Sequence, residues 1–241
     1  MRMTDSDSAA ITLLKRAVEL DLGKRYTEAL VCYKEGLQLL LEYIKTISDK
    51  EKKSKYRLKA NEYMDRSEKV HEIVRQEKEK GKYNEQIKIQ VDSMGHSYET
   101  IFGRFLDSSV GKITVEDPYI RAHHQIVNFL RFVELCVKKC DNLRSIELLT
   151  TSDSNNEKEQ ESKLTELKNS LGKRNIELSW NYSTSLHDRE VRMDSGWVIK
   201  IGRGLDIFKP PEGKMVLGYY DLDLRKCLET TVDIFFKKNS K

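Results

Sequence analysis

The sequence predicts a two-domain protein in which an N-terminal three-helix bundle is followed by an α/β domain. Two observations support this fold class. Residues 6–82 contain three helical apolar stripes with almost no glycine or proline, whereas strand and helix patterns alternate from Lys112 onward. A chain of 241 residues is long enough to bury two separate cores. We therefore predict a helical domain over 6–82, a linker over 83–96 and an α/β domain over 97–241.

Each helix of the first domain has a start signal and an apolar stripe. The first opens at an Asp/Ser cluster suited to N-capping and ends near Gly23. The second begins after Tyr26, with Thr27 as its N-cap, and the third follows Ser48-Asp49. Together the stripes form the core of a bundle. They consist of Ile11, Leu14, Val18 and Leu22, then Leu30, Tyr33, Leu37, Leu40, Ile44 and Ile47, then Tyr56, Ala60, Tyr63, Ser67, Val70 and Val74.

A second row of residues on the third helix contains a candidate binding site. The row runs beside the core stripe, offset by about 100 degrees, and is polar except for Met64. An adaptable apolar side chain close to Asp65 and Glu68 is what a groove for a basic, leucine-bearing partner helix requires. Helix periodicity is equally compatible with a second interpretation, in which Met64 widens the core stripe.

Three runs of the first domain carry a family resemblance. They are LKRAVELD at 14–21, RYTEALVCYKEG at 25–36 and EYMDRSE at 62–68. These runs resemble the MIT domain (microtubule interacting and trafficking), a three-helix bundle whose groove between the second and third helices binds C-terminal helices of ESCRT-III subunits. The resemblance implies that Met64 is the apolar floor of this groove. It also implies that Asp65 and Glu68 pair with basic residues of the incoming helix.

The second domain is predicted element by element from alternating patterns. Within the linker, Ile87, Ile89 and Val91 alternate with polar residues, which is compatible with an edge strand. Pro118 interrupts the first strand and Gly172 ends the last long helix. The predicted elements are a short helix over 97–106, a strand over 113–119, a helix over 126–137, a strand over 145–151, a polar loop over 153–161 leading into a helix, a strand over 176–182, a hairpin within 185–208, a strand over 215–220 and a tail over 225–238 that is a short strand or helix.

The hairpin is the most informative stretch of the second domain. Val191 and Met193 alternate with polar residues, Ser195-Gly196 turns the chain, and a second alternating strand begins at Trp197. The spacing His187-x-Arg189-x4-Asp194, followed by glycines at 202 and 204, resembles the phospholipase D motif H-x-K-x4-D followed by G-S-x-N. That resemblance implies a phospholipase-D-like α/β domain. In the superfamily the histidine attacks a phosphodiester, and two motif copies meet across a two-fold or pseudo-two-fold axis.

The sequence departs from this motif at positions that matter for catalysis. Arg189 replaces the lysine, although a guanidinium still grips phosphate. The glycine comes one residue late, the serine and asparagine are missing, and none of the other histidines is followed two residues on by Lys or Arg. We therefore expect a degenerate motif of His187, Arg189 and Asp194 that binds anions without turnover. A lone histidine at a strand end and a working enzyme are the alternatives.

Composition limits the ligands and the compartment. A net charge of +4 with 34% charged residues argues against a polyanion-wrapping protein, so nucleic acid is not expected, but it permits a local basic face. The four cysteines include no C-x2-C pair, so we predict no metal, no cofactor and reduced thiols in the cytosol. The N-terminus is polar and no apolar run is long enough to span a bilayer. Any membrane contact is therefore expected to be peripheral.

Basic residues near the motif are candidates for binding lipid phosphates. Each adds about 1 kcal/mol near an anionic surface, and a dimer doubles their number. Trp197 and Phe208 are expected to insert at the membrane interface. Acidic residues alternate with the basic ones, a pattern equally typical of a solvated face. The candidates are Arg189, Arg192, Lys200, Arg203 and Lys209.

Nearly the whole chain shares in the resemblance, because 116–121, 186–190 and 196–208 add to the N-terminal runs. It is similar to the family that joins an MIT domain to a phospholipase-D-like C-terminal domain. The similarity implies a non-enzymatic, phosphoinositide-binding homodimer that ESCRT-III recruits to the midbody in cytokinetic abscission, with late endosomal membranes as a second location. A phosphodiesterase that uses His187 across a homodimer and a protein-only scaffold are the alternatives.

Overall fold

The computed structural model describes residues 5–81, 83–152 and 157–237. The chain divides into two compact units, Met1–Tyr83 and Asn84–Lys241. The first unit is helical, and the second combines a mixed sheet with helices. This confirms the predicted fold class of a three-helix bundle followed by an α/β domain.

The first unit consists of α1 (Asp5–Leu22), α2 (Tyr26–Thr46) and α3 (Lys50–Glu79). Asp49 is the N-cap of α3, where its side chain accepts hydrogen bonds from the backbone N–H groups of Glu51 and Lys52. The prediction that Thr27 caps α2 is wrong, because α2 begins at Tyr26 and Arg25 occupies the N-cap position. The Thr27 hydroxyl instead lies 3.1 Å from the Tyr83 hydroxyl.

The core of the bundle follows the predicted stripes on α2 and α3. On α1 only Leu14 of the four predicted stripe residues is buried, whereas Ile11 and Val18 are half-buried and Leu22, at the end of the helix, is 81% exposed. The buried face of α1 also includes Ala10, Ala17 and Leu20. Gly36 lets α1 and α2 approach closely, since a Cβ at this position would lie 2.9 Å from Leu14 Cγ. The buried stripe residues include Leu14, Tyr33, Leu37, Leu40, Ile44, Ala60, Val70 and Val74.

A buried carboxylate links all three helices of the bundle. Asp21 at the end of α1 accepts a hydrogen bond from the Tyr33 hydroxyl of α2 at 3.1 Å. It also accepts two from the guanidinium of Arg66 on α3, both at 2.6 Å. Burial, followed by the charge and hydrogen bond of Asp21, raises the pKa of Tyr33 to about 12. The bidentate geometry fixes the register of α3 against α1.

Seven strands form one mixed sheet in the second unit. They are β1 (Asn84–Ile89), β2 (Lys112–Glu116), β3 (Ser145–Thr150), β4 (Glu177–Tyr182), β5 (Glu190–Met193), β6 (Trp197–Ile201) and β7 (Thr230–Phe236). Their order across the sheet is β1-β7-β6-β5-β2-β3-β4. β2, β3 and β4 run parallel, whereas β5, β6, β7 and β1 continue the sheet in antiparallel pairs. The parallel strands are joined by helices, as parallel pairing requires.

Helices cover one face of this sheet. They are α4 (Tyr98–Phe102), α5 (His123–Lys139) and α6 (Glu157–Gly172), with a 3-10 turn at Gly103–Phe105. The Phe102 and Phe132 ring centroids are 4.8 Å apart, and those of Phe105 and Trp197 are 4.6 Å apart. The face that carries Trp197 is therefore the core face. The other face carries mainly polar side chains, such as Thr114, Glu116, Arg192, Lys200 and Asp233.

The structure corrects two boundaries and one strand. The range 83–96 is not a linker throughout, because 84–89 form β1 and pair with β7 at the edge of the sheet. The edge strand suggested by Ile87 and Ile89 is thus confirmed, but Val91 lies beyond it and is 54% exposed. The strand expected at 215–220 is a series of turns, and the tail supplies β7 instead. Of the expected polar loop, 153–156 lie outside the described residues, and α6 begins at Glu157.

Among the described residues, each helix is too short or too polar to cross a bilayer.

Candidate binding sites in the two units

The first candidate site lies on one flank of α3. Ala60, Val70 and Val74 set the direction of the core, and at 100° per residue Met64 and Arg66 project about 80° to either side of it. Arg66 contacts Asp21 of α1. The Met64 flank is therefore the one turned away from α1.

This flank combines an exposed apolar residue with unpaired carboxylates. Met64 is 42% exposed, so it does not simply widen the core stripe. Glu68 lies one turn further along the same flank, and Asp65 is exposed beside it. Within the described residues neither carboxylate forms an ion pair. The geometry supports a face for a basic amphipathic helix, and binding itself stays a prediction.

The hairpin of the second unit forms as predicted. β5 pairs antiparallel with β6, and Gly196 turns the chain with a φ of 102°. The expected membrane insertion of Trp197 and Phe208 does not fit their places in the fold, since they are 7% and 6% exposed. The Trp197 ring packs against Phe105, and the Phe208 ring lies 5.3 Å from that of Tyr98. Both side chains belong to the core.

The three residues of the degenerate motif do not converge. His187 is exposed in the loop before β5. Asp194 lies at the other end of that strand, where its carboxylate accepts a hydrogen bond from the Gly111 N–H at 3.0 Å. Arg189 is half-buried, with its guanidinium 4.1 Å from the Tyr119 ring centroid and donating to the Gly202 carbonyl at 2.8 Å. The structure thus gives Arg189 and Asp194 local structural partners at separate places.

Asp117 is a residue of this region that the sequence reasoning missed. It is 3% exposed and accepts hydrogen bonds from the backbone N–H groups of Tyr119 and Leu205. Burial holds the pKa of Asp117 above its ordinary value, although the two backbone donors and the charge of Arg189 oppose this rise. Gly204, at a φ of 64°, makes room, since a Cβ there would lie 1.9 Å from Asp117 Oδ2. The Asp-Pro pair that ends β2 was the available signal.

Little space remains between these groups. The cavity bounded by Asp117, Arg189 and Gly204 has a volume of about 10 Å³. That is at most enough for a single water molecule. The second glycine of the motif therefore has a structural role in this chain: it lets a buried carboxylate approach the backbone.

Several candidate lipid-binding cations have carboxylate partners. Glu190 is buried between two of them, and it pairs with Arg192 Nη2 and, at 3.1 Å, with Lys200 Nζ. The hydrogen bond to Glu190 raises the pKa of Lys200. Lys209 lies 2.8 Å from Asp92. Arg203 is exposed and forms no ion pair within the described residues. The positive electrostatic potential near the hairpin is therefore weaker than the number of its basic residues suggests.

In the part of the chain that the structure describes, no group of three or more His, Cys, Asp or Glu side chains is arranged to hold a metal ion. The cysteines are free thiols, and burial raises the pKa of Cys136 well above its ordinary value.

The two units match two known domain families. Residues 8–72 match the MIT (microtubule interacting and transport) domain, and residues 95–236 match the phospholipase D-like domain at the C-terminus of MIT. Fold and matches together define a protein that joins an MIT bundle to a phospholipase D-like domain. The chain is 52% identical over 239 residues to MIT domain-containing protein 1 of Mus musculus, covering 98% of this chain and 96% of that protein. It belongs to the MIT domain-containing protein 1 family.

Proposed function

We propose that the chain is an ESCRT-III-binding adaptor. Its MIT domain recognises C-terminal helices of ESCRT-III subunits, and its phospholipase D-like domain binds acidic phosphoinositide membranes as a homodimer. It acts in cytokinetic abscission at the midbody, as a cytoplasmic protein bound peripherally to midbody and late endosomal membranes. The family match over the whole chain supports this assignment.

One observation carries the proposal. The exposed Met64 and the unpaired carboxylate of Glu68 share the flank of α3 that is turned away from α1, and Asp65 is exposed next to Met64 in the sequence. A partner helix gains by burying leucine side chains on Met64 and by pairing lysine or arginine with Asp65 and Glu68. Because the carboxylates are exposed, they mainly set orientation and specificity, whereas the apolar contact supplies most of the affinity.

The test is calorimetric titration of ESCRT-III C-terminal peptides into the chain and its Met64→Asp variant. A carboxylate at this position would be buried unpaired against leucines, so affinity should fall by at least about tenfold. Leu58→Asp is the matched control, since Leu58 is 62% exposed on the same helix but points away from the core and from that flank. Unchanged affinity of Met64→Asp with an unchanged helical circular dichroism signal would refute the groove.

We also infer that the second unit is not catalytic. A phosphohistidine mechanism needs an aligned histidine and preorganised phosphate donors. The exposed position of His187 and the local hydrogen bond of Arg189 support this inference. Purified chain should show no hydrolysis of phospholipids or phosphodiesters. If the purified chain hydrolyses such a substrate and His187→Ala abolishes the hydrolysis, the alternative function is favoured: a phosphodiesterase that uses His187 across a homodimer.

The homodimer has its own test. Superfamily members with one motif copy pair two half-folds, so the chain should sediment at twice its monomer mass at micromolar concentration. A monomer at tens of micromolar would contradict both the dimeric membrane module and the two-site enzyme.

A further inference from the structure

The loop over residues 213–220 exposes large apolar side chains that do not contribute to the core of the second unit. The exposed fractions of Met215, Leu217 and Tyr220 are 96%, 87% and 83%. These side chains are close together in sequence and lie outside both the core and the β5–β6 hairpin. Large apolar side chains that are exposed close together on a folded domain commonly mark a protein or membrane interaction site.

The base of this loop is held in place. Arg225 is 8% exposed, and its Nε donates to the Gly218 carbonyl while Nη2 donates to the Tyr219 carbonyl at 2.6 Å. Gly218 has a φ of 79°, and a Cβ there would lie 2.6 Å from the Leu224 carbonyl oxygen. The backbone is therefore held at Gly218 and Tyr219, while the neighbouring side chains of Leu217 and Tyr220 are exposed to solvent.

A positively charged cavity adjoins the same loop. Its volume is about 550 Å³, and Arg131, Arg225 and Lys209 line it together with His123 and His124. Arg131 and Arg225 both donate to the Tyr219 carbonyl, so two guanidinium groups converge on one oxygen. Neither forms an ion pair with a carboxylate within the described part of the chain. Burial, followed by the charge of Arg131, lowers the pKa of Arg225.

The charge balance of the cavity favours an anion. Asp206 is the one carboxylate among the lining residues, and its oxygens already accept hydrogen bonds from Gln125 and Asn128 and contact His124. Lys209 is balanced by Asp92. Arg131 and Arg225 carry two positive charges and Asp206 carries one negative charge, so these three residues leave the cavity with a net charge of +1. Lys214, on the loop itself, adds an exposed cation that has no ion-pair partner in the described ranges.

We propose that the 213–220 loop is the membrane-docking element of the second unit. Its apolar tip inserts among the lipids of an anionic bilayer, and the cavity of Arg131 and Arg225 receives a lipid headgroup phosphate. Apolar side chains ringed by cations are the combination that binds a peripheral protein to such a surface. Each nearby cation strengthens binding by about fivefold. The inference rests on the proposed membrane function and moves the lipid-facing surface away from the hairpin.

The test is co-sedimentation of the full chain with vesicles of phosphatidylcholine plus phosphatidylserine, and with phosphatidylcholine alone. Leu217→Asp should weaken binding to the anionic vesicles by at least about tenfold, because a carboxylate replaces an inserted leucine. Leu58→Asp, an equally drastic change at an exposed leucine of the first unit, should leave binding unchanged. Arg192→Ala with Lys200→Ala should reduce it less than Leu217→Asp does.

Two further measurements report on the tip and the cavity separately. Leu217→Trp should show a blue shift of tryptophan emission with the anionic vesicles, relative to the native chain. Arg131→Gln should weaken vesicle binding about fivefold. If inorganic phosphate binds the cavity while Leu217→Asp and Arg131→Gln both bind vesicles normally, the cavity is a soluble-phosphate site and the proposal is wrong.

The outcomes separate this inference from the function on which it rests. If the native chain binds anionic vesicles and Leu217→Asp binds equally well, the loop is not the docking element, although membrane binding stands. The loop would then be free to serve a protein partner. If the native chain does not bind anionic vesicles at all, the membrane function fails and this inference fails with it.

Discussion

At the scale of single residues, Asp21 joins the three helices of the N-terminal bundle. It is 6% exposed, and its partners come from the other two helices. A buried carboxylate is costly unless it is hydrogen-bonded and paired. Tyr33 and Arg66 meet that need, so the bundle depends on both.

The first prediction concerns Arg66. Arg66→Ala should lower the free energy of unfolding by about 1 to 2 kcal/mol, because Asp21 would lose two charge-assisted hydrogen bonds. The loss is limited because the Arg66 side chain is 45% exposed, so water can partly take its place. Denaturant unfolding measures it. The control is Arg75→Ala, whose ion pairs with Glu72 and Glu79 are exposed, so its effect should be much smaller. Equal losses in the two variants would contradict a special role for Asp21.

The second prediction follows from the raised pKa of Tyr33. Its value rises from 10.0 to about 12, so the folded state holds the phenolic proton more tightly than the unfolded state. The resulting stabilisation is fully present below about pH 10 and is lost as the pH rises toward 12. The Tyr33→Phe variant has no phenolic proton to lose, so its free energy of unfolding should fall less than that of the native chain between about pH 10 and pH 12. Parallel stability curves for the native chain and Tyr33→Phe would show that the pKa is not raised.

At the scale of elements, the β5–β6 hairpin is a structural joint of the second unit. Buried Glu190 on β5 pairs with Lys200 on β6, and Glu116 on β2 pairs with Arg192 at 2.9 Å. Beyond β6, Gly204 brings the backbone against Asp117 at the end of β2. Residues within and beside the stretch that resembles a catalytic motif therefore hold neighbouring strands together.

The third prediction tests this joint. Gly204→Ala should destabilise the second unit by about 2 kcal/mol or more, because it combines a strained positive φ with a clash against Asp117. Thermal unfolding monitored by Trp180 and Trp197 fluorescence reports on this unit, which contains both residues. Gly172→Ala, where the added Cβ meets nothing within 4 Å, is the control and should be neutral or stabilising. A neutral Gly204→Ala would mean that the contact with Asp117 is not required.

At the scale of the whole molecule, periodic patterns predicted most of the fold. The three stripes gave the bundle, and alternation around Val191 and Ile199 gave the hairpin, because both patterns report directly on burial. The 215–220 segment misled for the same reason: its apolar residues are exposed, so their pattern reflects a surface and not a strand. β1 was placed in a linker because its pairing with β7 joins residues more than a hundred positions apart.

The sites were harder to predict than the fold. Met64 could be picked out because an apolar residue interrupts a polar row on one helix. The neutralisation of Arg192 and Lys200 by Glu190 depends on strand register, which local spacing does not specify. The convergence of Arg131 and Arg225 on the Tyr219 carbonyl joins a helix to two distant turns. Such contacts become visible only once the chain is folded.

The most direct test of the adaptor function is whether the chain carries an ESCRT-III tail to a membrane. A fluorescent ESCRT-III C-terminal peptide should co-sediment with phosphatidylserine-containing vesicles only when the chain is present, because the proposed adaptor function requires one chain to bind peptide and lipid at the same time. Met64→Asp should leave the protein on the vesicles and the peptide in the supernatant. A native chain that sediments with vesicles while the peptide stays in solution would contradict the adaptor function, as would a native chain that remains in solution itself.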